Sequence, residues 1–311
     1  MEGYTSTLLE SHPQHSHPLE EKVCLRDNSK TAKLESESWM STFEILFFGD
    51  LVGKPGREGV YYFLEHHLKH KPDMLIANAE NITHGAGTSE KHYQDMIGHG
   101  FHALTGGNHT FDRKESFEYM NTAERLVRPA NIAGRQIPGR GSRIVDVNGV
   151  KVGILNVLGQ VYMANYNSPW EVLDEELPQL LNVTPIVFLD IHAEATAEKG
   201  ALARYASQLG ASAVVGTHTH VQTNDARILH DRTGFITDAG MNGTYESVIG
   251  MEPLAAQRRM TELGWVKMEV AKSPQIQINA VRFVIEAESG QCLSVEPVFE
   301  IIQLPEHISL G

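Results

Sequence analysis

The stretch AVVGTHTHVQ, residues 213–222, decides the fold class, because an apolar run suited to a buried strand ends in two histidines one residue apart. In an extended backbone, residues i and i+2 project to the same side, so a strand carried through this stretch would aim His218 and His220 at one place. Two imidazoles on one face need a shared reason, and a metal ion supplies one.

Working outward, the run is preceded by a helical pattern, TAEKGALARYASQLG (196–210), and that by another apolar run, PIVFLDIHAE (185–194). The same alternation fills the first half of the chain. FEILFFGD (43–50) reads as a strand, and Pro55 opens a helix through GREGVYYFLEHHLKH (56–70), as proline is tolerated at the first helical position. Then come strand DMLIANAE (73–80), helix SEKHYQDMIGHG (89–100), strand FHALTGGN (101–108) and a helical segment near KESFEYMNTAERL (114–126). Asn148-Gly149 divides two alternating runs in RIVDVNGVKVGILNV (143–157), a strong hairpin signal. The C-terminal part reads as antiparallel: ARILHDRTGFITD (226–238), WVKMEVA (265–271), and a long pair over 278–303 turning at Ser289-Gly290. Such mixing predicts one α/β domain, with two sheets face to face and helices outside.

The totals narrow the function classes. A chain of 311 residues with 41% hydrophobic and 21% charged residues is ordinary for a globular protein, and no apolar run approaches the roughly 20 residues a membrane span needs. A formal charge of −13 argues against a surface built to grip a long nucleic acid. The two cysteines, Cys24 and Cys292, are far apart and lack motif spacing, which excludes a disulfide framework or zinc ribbon. With no secretory apolar region at the start, a reducing cytoplasm is the expected location. Residues 1–42 are polar, mixed in charge and without apolar periodicity, and are expected to form a disordered extension ahead of a domain over 43–311. The three histidines there, His12, His15 and His17, read as incidental.

Five predicted strands end in groups that bind cations: Asp50, Glu80-Asn81, Asn108-His109, His192, and the pair His218 and His220. Strand ends at one edge of an α/β sheet are where ligands gather. Each residue alone has a plainer explanation: Asp50 as a helix cap, Glu80-Asn81 as a turn, Asn108 in a left-handed position, His192 as a hydrogen-bonded core histidine. Jointly they form a mixed carboxylate, amide and imidazole set. That mixture suits manganese, iron or zinc better than calcium. Two carboxylates, three histidines and two asparagines exceed one tetrahedral site and suffice for two metals sharing a carboxylate.

The stretches GDLVGKPGR, NAENITHGAG, TGGNHTFD, LDIHAEATAEK, GTHTHVQTND and TDAGMNGTYESVIGM resemble the calcineurin-like metallophosphoesterase superfamily, and more closely its YmdB-type branch. The resemblance runs from about residue 45 to 251 and implies a four-layer α/β/β/α sandwich of two mixed sheets holding two divalent metals. It implies that Asp50, Glu80, Asn81 and His220 hold one metal, and Glu80, Asn108, His192 and His218 the other, with Glu80 bridging. The usual superfamily opening is Asp-x-His, whereas this chain reads Asp50-Leu51-Val52 and carries Glu80-Asn81 where a bridging aspartate is usual. Both departures fit the YmdB-type pattern.

The implied activity is a metal-dependent phosphodiesterase acting on cyclic nucleotides, with 2',3'-cyclic nucleotides first and 3',5'-cyclic nucleotides next. Paired metals would make hydroxide near neutral pH for in-line attack, and His109 would protonate the leaving oxygen. Asp112 could orient that imidazole or equally serve a turn or cap, and His84 and Thr217 are weaker candidates for the pocket. Expected partners are a small phosphodiester substrate, no membrane, no long nucleic acid, and copies of the chain in a symmetric oligomer. Arg258 and Arg259 are expected on a solvated helix face. Two other readings stand beside this one: a metal-binding regulator of the same fold with little turnover, and a protein of the CapA-like capsule-synthesis branch, which GTHTHVQ and NHTFD also resemble.

Overall fold

Alternation along the first strand sets up the layers. In the computed structural model, which describes residues 41–310, β1 (Thr42–Phe48) sends Phe43, Ile45 and Phe47 into one core and Leu46 and Phe48 into another. A strand buried on both faces needs a packed layer on each side. The extension expected over 1–42 lies outside the described residues except for Ser41 and Thr42, and Thr42 already pairs with Glu286.

The elements after β1 are β2 (Asp50–Leu51), α1 (Gly53–His66), β3 (Met74–Asn78), α2 (Glu90–Gly98), β4 (Ala103–Thr105), α3 (Ser116–Tyr119) and β5 (Leu126–Val127). Then follow β6 (Ser142–Val147), β7 (Val150–Leu158), α4 (Pro169–Leu181), β8 (Val187–His192), α5 (Thr196–Leu209) and β9 (Ala213–Thr217). The last are β10 (Arg227–Leu229), β11 (Thr233–Ile236), β12 (Met241–Thr244), α6 (Pro253–Thr261), β13 (Gln275–Glu286) and β14 (Cys292–Gln303).

One sheet has eight strands in the order β2-β12-β13-β1-β3-β4-β5, with β14 on β13; the other has six, β10-β11-β9-β8-β7-β6. Each mixes parallel and antiparallel pairs. Between them lie Phe47, Phe188 and Phe283, with ring centroids 5.2 Å apart for the first pair and 6.0 Å for the second. Burying an aromatic ring of this size contributes roughly 1.5–3 kcal/mol, so this trio ties the sheets together. Val60 and Phe63 of α1 and Tyr93 and Met96 of α2 cover the outer face of the first sheet. Leu173, Leu177 and Leu180 of α4 and Leu202, Ala203 and Ala206 of α5 cover the second. The result is the expected α/β/β/α sandwich. Among the described residues, no helix is long and apolar enough to cross a membrane.

Several local expectations are corrected. Helix α1 starts at Gly53, so Pro55 is its third residue, still inside the first turn where a missing N–H costs nothing. Only Ser116–Tyr119 is helical in the 114–126 segment, and Leu126 belongs to β5. Residues 265–271 form no strand beyond a single bridge from Val270 to Met251, because Trp265 is left solvent-exposed with no sheet to cover it. Helix α4 was not anticipated, although Pro169 at its start and the Ser168 hydroxyl accepting from Glu171 N are ordinary start signals. The hairpin formed as expected, with positive φ at both Asn148 and Gly149. Arg258, exposed on α6, pairs with Glu262.

Candidate metal centre

The parallel strands β1, β3 and β4 of one sheet and β8 and β9 of the other end at a common edge, and the polar residues follow those ends. Asp50 is completely buried in β2; its Oδ2 accepts from the His218 backbone N–H at 3.1 Å, while its Oδ1 has no hydrogen-bond partner. Glu80 is also buried. One of its carboxylate oxygens accepts from His109 N at 3.0 Å and the other lies 3.2 Å from His192 Nε2. Asn81 is buried with its Nδ2 on Gly85 O and its Oδ1 without a partner.

The second sheet contributes imidazoles. His192 ends β8, and its Nε2 lies 3.0 Å from Asn108 Oδ1 and 3.1 Å from His218 Nδ1. Donor atoms thus collect into two groups, Glu80 with His192 and His218, and Asp50 with Glu80 and His220, the atoms within each group lying within 4.8 Å of one another. Glu80 belongs to both. Gly107 makes the approach feasible, since a Cβ there would overlap Glu80 Oε2 and His192 Nε2.

His218 and His220 arrive by a route the sequence did not suggest. Strand β9 stops at Thr217, and both histidines adopt left-handed backbone, with φ of 96° and 65°. They therefore serve different donor groups and do not point side by side from a strand.

Each imidazole has one nitrogen tied to an acceptor outside the cluster. His192 Nδ1 donates to Thr217 Oγ1 at 2.9 Å, and that hydroxyl donates to Asp190 Oδ1 at 2.7 Å. His220 Nδ1 donates to Ile249 O at 2.9 Å, and His218 Nε2 lies 3.2 Å from Glu194 Oε2. The remaining nitrogen of each ring is left facing the donor cluster, the arrangement that outer partners impose on metal-binding histidines. With the orphaned oxygens of Asp50 and Asn81, the donor set fits divalent cations of the manganese, iron or zinc type.

The charges fit the same use. Burial pushes Asp50 up to about 6 despite the His220 and His192 charges. Burial would raise Glu80 too, but His192 pulls it down to about 2. Burial works against charge on His192, yet Glu80 and then Asp50 raise it to about 9. His218, lowered first by burial and then by His192, falls to about 4.

His109 stands at the rim, partly exposed, with Nδ1 2.6 Å from Asp112 Oδ2. Thr217 supports His192 from behind. His84 is exposed and lines a different cavity with Lys54 and Arg57. Residues missed in the sequence include Asp190, which also accepts from Asn78 Nδ2, and Asn78, whose Oδ1 takes the Glu80 backbone N–H. Burial raises Asp190 in spite of His192 and three donors. Its signal was an aspartate inside an apolar strand.

Residues 46–298 match the family described as YmdB-like protein. A 2',3'-cyclic-nucleotide 2'-phosphodiesterase of Bacillus subtilis is 40% identical over 255 residues, which cover 82% of this chain and 96% of the relative. A crystal structure of a novel phosphatase from Mycoplasma pneumoniae superposes with a TM-score of 0.78 at 32% identity, covering 86% of this chain and 96% of the other. A hypothetical protein from Thermus thermophilus gives a TM-score of 0.77 at 33% identity, with coverages of 83% and 99%.

Proposed function

The chain belongs to the YmdB-like family, and from that premise we propose that it is a dinuclear-metal phosphodiesterase acting on cyclic nucleotides, with 2',3'-cyclic nucleotides as the leading substrates and 3',5'-cyclic ones next. The observation that carries the reading is the sharing of Glu80 between two donor groups. Asp50, Glu80, Asn81 and His220 would hold one cation, and Glu80, Asn108, His192 and His218 the other. The name of the Bacillus relative supports the 2',3'-cyclic class and the 2' ester bond as the one broken.

Two divalent cations bound there would neutralise phosphate charge and acidify a water enough to yield the nucleophile near neutral pH. The chain's own residues do the rest. His109 delivers a proton to the leaving oxygen, and Asp112, 2.6 Å from its Nδ1, holds the ring in place. Glu80 braces the same loop through the His109 N–H. A positioned general acid is typically worth on the order of 10²–10⁴ in rate.

The test is turnover of 2',3'-cyclic AMP, 3',5'-cyclic AMP and bis-p-nitrophenyl phosphate by chain loaded with manganese or iron. Asp50→Ala and Glu80→Ala should abolish turnover and metal binding together. His109→Ala should lose turnover and keep its metal. A fully loaded chain inert toward all three substrates would overturn the reading and leave the regulatory one.

A further inference from the structure

A second cavity, about 590 Å³, shares no lining residue with the metal-centre donors. Its walls come from the start of α1, the start of α2 and residues 267–272. Five basic side chains, Lys54, Arg57, Lys91, Lys267 and Lys272, line it against one acid, Glu269. The chain as a whole carries −13, so this concentration runs against the general surface.

Arg57 gives the cavity a fixed element. It is 6% exposed, and its guanidinium donates to the Ile82 carbonyl while its Nε has no hydrogen-bond partner. Burial lowers its pKa, and Asp95 and Glu58 offset that only in part, without forming a salt bridge to it among the described residues. A buried cation with no carboxylate in direct contact is costly, and an arriving anion would relieve that cost. Lys54 and Lys91 are each the second residue of their helices, of 14 and 9 residues, whose N-terminal dipole ends also favour anions. His92, in the same wall, is lowered to about 4, first by burial and then by the Arg57 charge, as expected of a positive local field. Met268, Val270 and Leu310 add an apolar wall.

We propose that this cavity is a second ligand site, for an oligophosphate: a nucleoside di- or triphosphate, or an inorganic chain of the same charge. Its volume falls within the range of small-molecule sites, about 300–1,000 Å³. Repeated phosphates match the spread of cations better than one phosphate does. The bond from Arg57 to Ile82 O links the site to the residue that follows Asn81.

The test is isothermal titration of the full-length chain with ATP and, separately, with tripolyphosphate. One molecule should bind per chain, equally well in the native protein and in Glu80→Gln. Lys91→Glu and Lys272→Glu, both at exposed positions, should weaken binding about tenfold or more, and Lys91→Gln by a smaller factor. Equal affinity for the two probes assigns recognition to the phosphate chain, and tighter ATP binding adds the apolar wall; either supports the site. Absence of binding, indifference to the lysine substitutions in chains that melt as the native protein does, or loss of binding in Glu80→Gln alone would overturn it. The last result would put the phosphates on the metal centre.

Discussion

Replacing Thr217 by valine keeps the shape of a completely buried side chain and removes one hydroxyl. That hydroxyl accepts from His192 Nδ1 at 2.9 Å and donates to Asp190 Oδ1 at 2.7 Å. Its loss leaves a buried imidazole N–H and one oxygen of a buried carboxylate short of a partner. Each unmet group costs about 1–3 kcal/mol, although Asp190 keeps Asn78 on its other oxygen. Without the hydroxyl, His192 is free to change tautomer or rotate, which withdraws Nε2 from the cluster. Loss of such an outer partner typically lowers metal affinity about 10–100-fold, or roughly 1.4–2.7 kcal/mol. The assay is manganese titration against a competing chelator, with Thr217→Ser alongside. Serine restores the hydroxyl and should recover most of the affinity. Native affinity in Thr217→Val, or equal losses in the valine and serine variants, would refute the relay.

Metal uptake should release protons: His192, raised to about 9, must lose its proton to solvent before the freed nitrogen can bind a cation. Affinity should therefore climb with pH up to about 9, more steeply below about 6 where Asp50 also binds a proton; a flat profile read by indicator dye in weak buffer would contradict it. Gly107→Ala should leave the fold intact by circular dichroism but strip the metal, because the new methyl overlaps Glu80 and His192. Lys199→Met should lower unfolding free energy in urea by about 3–5 kcal/mol, since it leaves the buried Asp238 carboxylate without its cation at 2.6 Å.

Much of this was legible in the sequence because chemistry and position coincide. Carboxylates and imidazoles after apolar runs are conspicuous, and parallel strands gather them at one edge whatever the loops do. Thus Asp50, Glu80, Asn108, His192, His218 and His220, each with a plainer explanation alone, could be picked out as a set, and they lie close together in the structure. Asp190 could not, because its partners Asn78, Thr105 and Thr217 come from three other stretches and meet only after the sheets stack. The expected strand at 265–271 failed for a related reason. Its alternation was real, but a strand forms only where another edge receives it, and Trp265 found no such surface.

The THTH turn carries this reasoning furthest. Two non-glycine residues in left-handed backbone each cost of the order of 1–3 kcal/mol, so something must hold them. His218 N is bonded to Asp50, Thr219 gives both its N–H and its hydroxyl to Asp238 Oδ2, and His220 is fixed to Ile249 O. Asp238 is in turn fixed by buried Lys199, whose ammonium also reaches Thr217 O. An extended continuation of β9 would avoid the strain and place both imidazoles on one face, where they could serve a single point. The turned backbone separates them, so that each joins a different donor group around Glu80. The strain is thus the structural condition for a shared carboxylate with an imidazole on either side, and the Lys199–Asp238 pair is what maintains it.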